Sequence, residues 1–280
     1  MTSNMPYKGS HVAKLPSPSV WGRFPVKQAS CMIGGEYRVA DFRAAASTAI
    51  ATPDASIVSG DIRVCDSGAA DVDIKRTLDS GTPVLDWTPA DGEDLVVGPQ
   101  VVFDMSAGRP WAFECRISDA DASANSLFAG LVSLNGASST AFDAYTTNYI
   151  LIDGGTLYTN RAHVGFHATE SASVFGVVKD RGTADNSEYQ VNGSDTAVAS
   201  GATISAIATM ADDTFVKLGL YSDGRIIRWF VDNSEVAALE MGSTQLPSGD
   251  YDSSMVPVVA LNAAGTTLMQ VDWVACGYQS

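Results

Sequence analysis

The sequence predicts an all-β protein: a two-sheet antiparallel jelly-roll sandwich over residues 95–280, preceded by an extended N-terminal arm (1–30) and a small N-terminal β region (31–94). Three observations carry this. Short runs of β-branched and aromatic residues recur along most of the chain. Asp-Gly and Asn-Gly pairs, which tolerate positive φ and favour tight hairpins, separate many of those runs. No amphipathic helical stretch lies between them, so the strands must pack against each other as a sandwich or barrel. A chain of 280 residues with 45% hydrophobic and 18% charged content can bury a substantial core without disulfides or metals.

The arm is read from Pro6, Pro16, Pro18 and Pro25, which remove amide donors and fix φ. Tyr7, Val12, Leu15, Val20, Trp21 and Phe24 punctuate it, with Lys8, Lys14 and Arg23 between them. A solvated linker has no need of such apolar groups, so the arm is expected to dock on something. The candidate partner-binding residues are Tyr7, Lys8, Lys14, Leu15, Trp21, Arg23 and Phe24. Packing of the arm on its own domain is the equal alternative.

In the 31–94 region, Glu36–Val39 reads as a strand, and 40–46 as a short helix or a turn. Ile57-Val58, Ile62–Val64, Val72–Ile74 and Thr82–Trp87 read as further strands between Gly and Asp punctuation. Beyond Asp94 the signal strengthens. Leu95–Val97 and Val101–Phe103 flank Gly98-Pro99, and Trp111–Ile117 alternates with its odd positions apolar, the pattern of a half-buried strand. Strands follow at Leu127–Leu134, Tyr149–Ile152, His163–Phe166, Ser173–Lys179, Phe215–Ser222, Arg225–Asp232, Val256–Ala260 and Leu268–Tyr278. Residues 202–213 fit one short strand or a helical turn.

Net charge is −15, which disfavours nucleic-acid phosphates. Residues 1–50 hold Lys8, Lys14, Arg23, Lys27, Arg38 and Arg43 against Glu36 and Asp41, a net of +4 that leaves −19 for the rest. A basic arm on an acidic body suggests contact with an acidic neighbour, such as another copy of the body; composition noise in a terminus is the alternative. Cys31, Cys65, Cys115 and Cys276 form no C-x-x-C pair, and Cys115 and Cys276 are expected to be buried thiols. No signal-peptide pattern or 20-residue apolar run is present, so neither standard export nor a membrane partner is expected.

The hairpin from Asp213 to Asn233, with its Asp223-Gly224 turn and Phe230-Val231-Asp232-Asn233 corner, resembles the concanavalin A-like jelly roll of legume lectins, laminin-G-like modules and laminarinases. The final strand, Met269 to Tyr278, is similar to the closing strand of the laminarinase type; Val164–His167, Ser173–Asp180 and Gly182 also fit. The resemblance covers about residues 95–280 and implies fold more than function. Bacteriophage particles carry proteins of this shape. The expectation is therefore a non-enzymatic virion structural protein, a capsid decoration (cement) protein on the capsid surface, assembled in the host cytoplasm. It would bind the major capsid protein and neighbouring copies of itself through the arm, as a homo-oligomer with a trimer preferred. The alternative is a carbohydrate-binding module of a phage tail or adhesin. No cofactor is expected.

A glycosidase of this fold needs two carboxylates on one strand face, and neither Glu-x-Asp-x-Glu nor Glu-x-Asp-x-x-Glu occurs. Glu114 stands alone on its strand and Glu93-Asp94 is a turn pair. His163 and His167, four apart, share a strand face but sit too far apart to grip one metal comfortably. Asp119-x-Asp121-x-Ser123-x-Asn125 has the start of a calcium loop but lacks its sixth-place Gly and twelfth-place Glu, so a solvated loop is expected. The polar run Asp185, Asn186, Glu188, Asn192 and Asp195 is equally weak as an ion site. Tyr145, Tyr149, Tyr158, Trp229 and Tyr251 are candidates for a sugar-binding face, although aromatics in strands more often pack inward. Of Trp111, Phe113, Trp229, Phe230 and Trp273, at least half are expected to face the core.

Overall fold

A computed structural model describes residues 20, 35–40, 56–59, 62–66, 71–76, 83–99, 103–104, 109–133, 151–152, 156–157, 162–179, 189–191, 197–199, 205–240 and 254–279. In chain order the strands are β1 (Gly35–Ala40), β2 (Ser56–Ser59), β3 (Ile62–Asp66), β4 (Asp71–Arg76), β5 (Pro83–Thr88), β6 (Asp94–Pro99) and β7 (Phe103–Asp104). Then come β8 (Trp111–Asp119), β9 (Ser126–Ser133), β10 (Leu151–Ile152), β11 (Thr156–Leu157), β12 (His163–Ala168), β13 (Ser173–Lys179) and β14 (Tyr189–Val191). The last are β15 (Ala197–Ala199), β16 (Ala208–Thr209), β17 (Val216–Ser222), β18 (Ile226–Val231), β19 (Ser234–Glu240), β20 (Ser254–Asn262) and β21 (Met269–Gln279).

They form two antiparallel sheets packed face to face, the predicted all-β sandwich. The first sheet runs β19-β18-β17-β8-β21-β5-β4, with β1 also on β21. The second runs β15-β14-β13-β12-β9-β20-β6-β3-β2, with β16 on β13 and β7 on β20. β10 and β11 make a separate hairpin. The 31–94 segment supplies β1, β4 and β5 to the first sheet and β2 and β3 to the second. Residue 95 lies inside β6, whose positions are all buried and which bridges β3 and β20. Residues 40–46 fall almost wholly outside the described residues.

The alternation that predicted β8 places Trp111, Phe113, Cys115 and Ile117 in the inter-sheet core. The expectation of a half-buried strand needs correction, because eight of its nine positions are buried and Arg116 is intermediate. The reason is a second apolar layer on the outer face of the first sheet: Val20, Ala112, Tyr221, Phe230, Trp273 and Ala275. Trp111, Phe113 and Trp229 face the core, whereas Phe230 and Trp273 belong to that outer layer. Cys115 and Cys276 are buried thiols as expected, and burial pushes the Cys115 thiol well above its ordinary value.

Turn chemistry acts where the sequence placed it. Asp232 and Asn233 take φ of 46° and 75°, the left-handed pair of a two-residue hairpin joining β18 to β19. Gly224 has φ 88°, and Asp223 Oδ1 accepts from the Arg225 and Ile226 amides at 2.8 and 2.9 Å. Burial alone would raise the Asp223 carboxyl, but those amides and the Arg228 and Arg225 guanidiniums outweigh it and hold it below its ordinary value. The two sheets are tied by Trp229, fully buried, whose Nε1 donates to the Gly165 carbonyl at 2.8 Å. Gly176 makes room for that indole: a Cβ there would stand 3.2 Å from Trp229 Cδ1 and Nε1.

Candidate functional site

The face of the second sheet turned away from the core carries the most distinctive constellation. Alternation along β6, β9, β13 and β20 sends Val96, Phe128, Val132, Val177, Val256, Val258 and Ala260 to that side, where they form their own buried cluster with Phe175 packed against it. Antiparallel register lines them into rows across β20, β9, β12 and β13. One row is Ala260–Phe128–His167–Phe175, and the next is Val258–Gly130–Gly165–Val177. Val256, Val132 and His163 begin a third.

The glycine row shapes this face. A Cβ on Gly165 would lie 2.9 Å from Phe128 Cε2 and Cζ, so the Phe128 ring occupies the space a side chain would take there. The same ring meets His163 edge to face, with centroids 5.5 Å apart at 78°. His163 and His167 thus share one face, as their spacing predicts, and the Phe128 ring lies over the glycine between them. His167 is half-buried, with Nε2 3.0 Å from Thr169 Oγ1. Thr169 and Glu170 are exposed just beyond it. Glu170 takes φ 41°, and its amide donates to Ser126 Oγ at 3.0 Å. The row ending at Phe175 therefore runs from a buried ring to a partly open rim bearing an imidazole and a hydroxyl, with the exposed Glu170 on the adjoining turn. β10 lies against β9 and β20.

No Asp or Glu occupies the described positions of these rows. Buried carboxylates lie elsewhere, and Asp272, Asp86 and Asp94 among them are engaged structurally. Asp272 forms an ion pair with Arg116, whose guanidinium also sits 4.0 Å over the Phe215 ring. Gln270 Nε2 donates to Asp86 Oδ1 at 2.7 Å, and Asn262 Nδ2 to Asp94 Oδ1 at 2.9 Å. Glu114 is buried on the first sheet's outer face, in register with Gly219. Lys217 is buried too; desolvation lowers its pKa, opposed by the charges of Glu114 and Asp232, and its Nζ donates to Asn233 Oδ1 at 2.9 Å.

The loop with the partial calcium pattern is also structural, and the expectation that it is solvated is corrected at its two ends. Asp119 and Asn125 are buried. Asp119 Oδ1 accepts from the Asp121 amide at 2.9 Å and from Asn125 Nδ2 at 2.8 Å, while Asn125 Oδ1 accepts from the Ala264 amide at 3.1 Å. Among the described residues no group of three or more His, Cys, Asp or Glu is arranged to hold a metal ion. Burial raises the Asp119 pKa, the Asp121 amide and Asn125 oppose this, and the Asp121 and Asp212 charges add to the rise. A folded-state pKa above the unfolded value means that stability falls as pH rises through it. Asp119→Asn keeps the accepting oxygen and removes the charge. Thermal melts should show the substitution neutral at low pH and stabilising above the ordinary carboxylate range; an unchanged pH profile would refute this account.

The remaining predicted site residues divide sharply. Tyr7, Lys8, Lys14, Leu15, Trp21, Arg23 and Phe24 lie outside the described residues, as do Tyr145, Tyr149, Tyr158, Tyr251 and the polar run Asp185, Asn186, Glu188, Asn192 and Asp195. Trp229 is excluded as a sugar-facing residue, since it is fully buried between the sheets. Phe128, Gly130, Gly165 and Phe175 were not singled out from sequence. The continuous apolar run through β9 conceals which residues face outward, and only the register with β12 brings the two glycines together.

No family model matches this sequence, and no curated protein sequence does. Among solved structures, a protein of unknown function from Shewanella oneidensis MR-1 is similar over 95% of this chain and 95% of its own, at 12% identity and a TM-score of 0.52. Identity that low shows a shared fold alone. Peanut lectin aligns over 88% of this chain and 98% of its own at 8% identity (TM-score 0.49). The carbohydrate recognition domain of Emp46p aligns over 77% and 87% at 6% identity (TM-score 0.48). Scores below 0.5 carry no argument about this chain.

Proposed function

We propose that this chain is a non-enzymatic carbohydrate-binding module that engages its ligand at the rim of the second sheet's outer face. The observation that supports it is the Phe128–His167–Phe175 row with Thr169 and Glu170 at its open end. Sugars offer an apolar C–H face ringed by hydroxyls. A partly exposed phenyl ring beside an imidazole and a hydroxyl, with an exposed glutamate on the adjoining turn, matches both aspects. Glycoside hydrolysis requires a carboxylate pair flanking the bond, and the described positions of the rows supply none.

The capsid-decoration reading rests on the arm residues Tyr7 to Phe24, apart from Val20 outside the described residues, and no observation here favours it over sugar binding.

The test is a glycan array with the full chain, followed by calorimetry of the best ligand with Phe175→Ala and His167→Ala. Each substitution should weaken binding at least tenfold, about 1.4 kcal/mol, with the melting temperature little changed because both positions are only partly buried. An array without hits, or variants that bind as well as the parent, would overturn the proposal.

A further inference from the structure

The outer face of the first sheet holds a socket for one side chain of the N-terminal segment. Val20 is fully buried there. Its floor is small: Gly219 and Ala275 lie in register with Glu114 on either side, and Ala112 is two residues along β8. Tyr221, Phe230 and Trp273 form the walls. The fit depends on the glycine, since a Cβ on Gly219 would stand 2.8 Å from Val20 Cγ2.

Residues 21–34 separate this plug from β1. Fourteen residues span up to about 46 Å when extended, a reach that does not confine Val20 to its own molecule. The plug belongs to a segment of net charge +4, and the rest of the chain carries −19. Oppositely charged segments on identical chains attract one another across molecules as well as within one. We infer that the socket is an interaction surface between two copies of this chain, with the N-terminal segment of each exchanging onto the outer face of the other. Exchange of an identical element costs little because every contact made in the closed monomer is remade between copies. This inference is independent of glycan binding.

A cysteine trap tests it. The 2.8 Å approach of a Gly219 Cβ to Val20 Cγ2 puts positions 20 and 219 within disulfide reach. Val20→Cys and Gly219→Cys are made in separate full-length chains, mixed and mildly oxidised. Exchange gives a covalent dimer on a non-reducing gel that appears only in the mixture. The double variant in one chain serves as the control that the bond can form. If the double variant closes internally and the mixture stays monomeric, exchange is refuted.

Discussion

Replacing Gly130 with alanine should cost the sandwich more than about 4 kcal/mol and in practice abolish soluble expression. The added Cβ would lie 2.2 Å from the Val164 carbonyl oxygen and 2.5 Å from the Gly165 Cα. Both are backbone atoms of the neighbouring strand, so no rotamer change relieves the clash. The strands would have to separate, breaking the β9–β12 pairing at the centre of the second sheet. Gly265→Ala is the control, because its Cβ would meet nothing within 4 Å; it should fall within about 0.5 kcal/mol of the parent. Urea unfolding measures both. A Gly130→Ala protein that folds with near-parental stability would show that the two strands are not held this closely.

The second large effect is expected at Trp229. Truncation to alanine should destabilise by about 3–5 kcal/mol from lost packing and the cavity left behind. Part of the loss is a separable hydrogen bond. Trp229→Phe keeps most of the ring but deprives the Gly165 carbonyl of the indole N–H that it accepts at 2.8 Å. That variant should cost about 1–3 kcal/mol. Denaturant midpoints of the two variants apportion the effect. Equal losses would mean that the hydrogen bond, not the volume, ties the sheets together.

The course of the strands was legible wherever alternation or turn chemistry was strong. Trp111–Ile117, the Asp223-Gly224 turn and the Asp232-Asn233 corner each reported a local preference that the fold keeps. β19 was not legible, since Ser-Glu-Val-Ala-Ala-Leu-Glu has neither β-branched density nor clean alternation and is held by its pairing to β18. The rim was half legible. The spacing of His163 and His167 placed them on one face, but nothing local links Phe128 to Gly165, which lie 37 residues apart in sequence and meet only through register. Burial on both faces of β8 escaped for a similar reason: Val20, far upstream, covers the side that composition left for solvent.

β21 pairs Val271 with Ile117 but Trp273, not Asp272, with Arg116. One residue is therefore inserted into the strand's two-beat rhythm, and it acts like a frameshift. Upstream, odd-numbered Met269 and Val271 point inward; downstream, even-numbered Val274 does, while Trp273 and Ala275 point outward. The C-terminal stretch is spelled in a different phase from its beginning, and Asp272 is the letter that changes it. Deleting that letter would restore strict alternation, with Trp273 still opposite Arg116 and Val274 still opposite Cys115, so the bulge would go while the downstream phase stayed. A single-residue deletion at this position thus keeps every side-chain orientation to the end of the strand, and what it removes is the bulge and the carboxylate that pairs with Arg116.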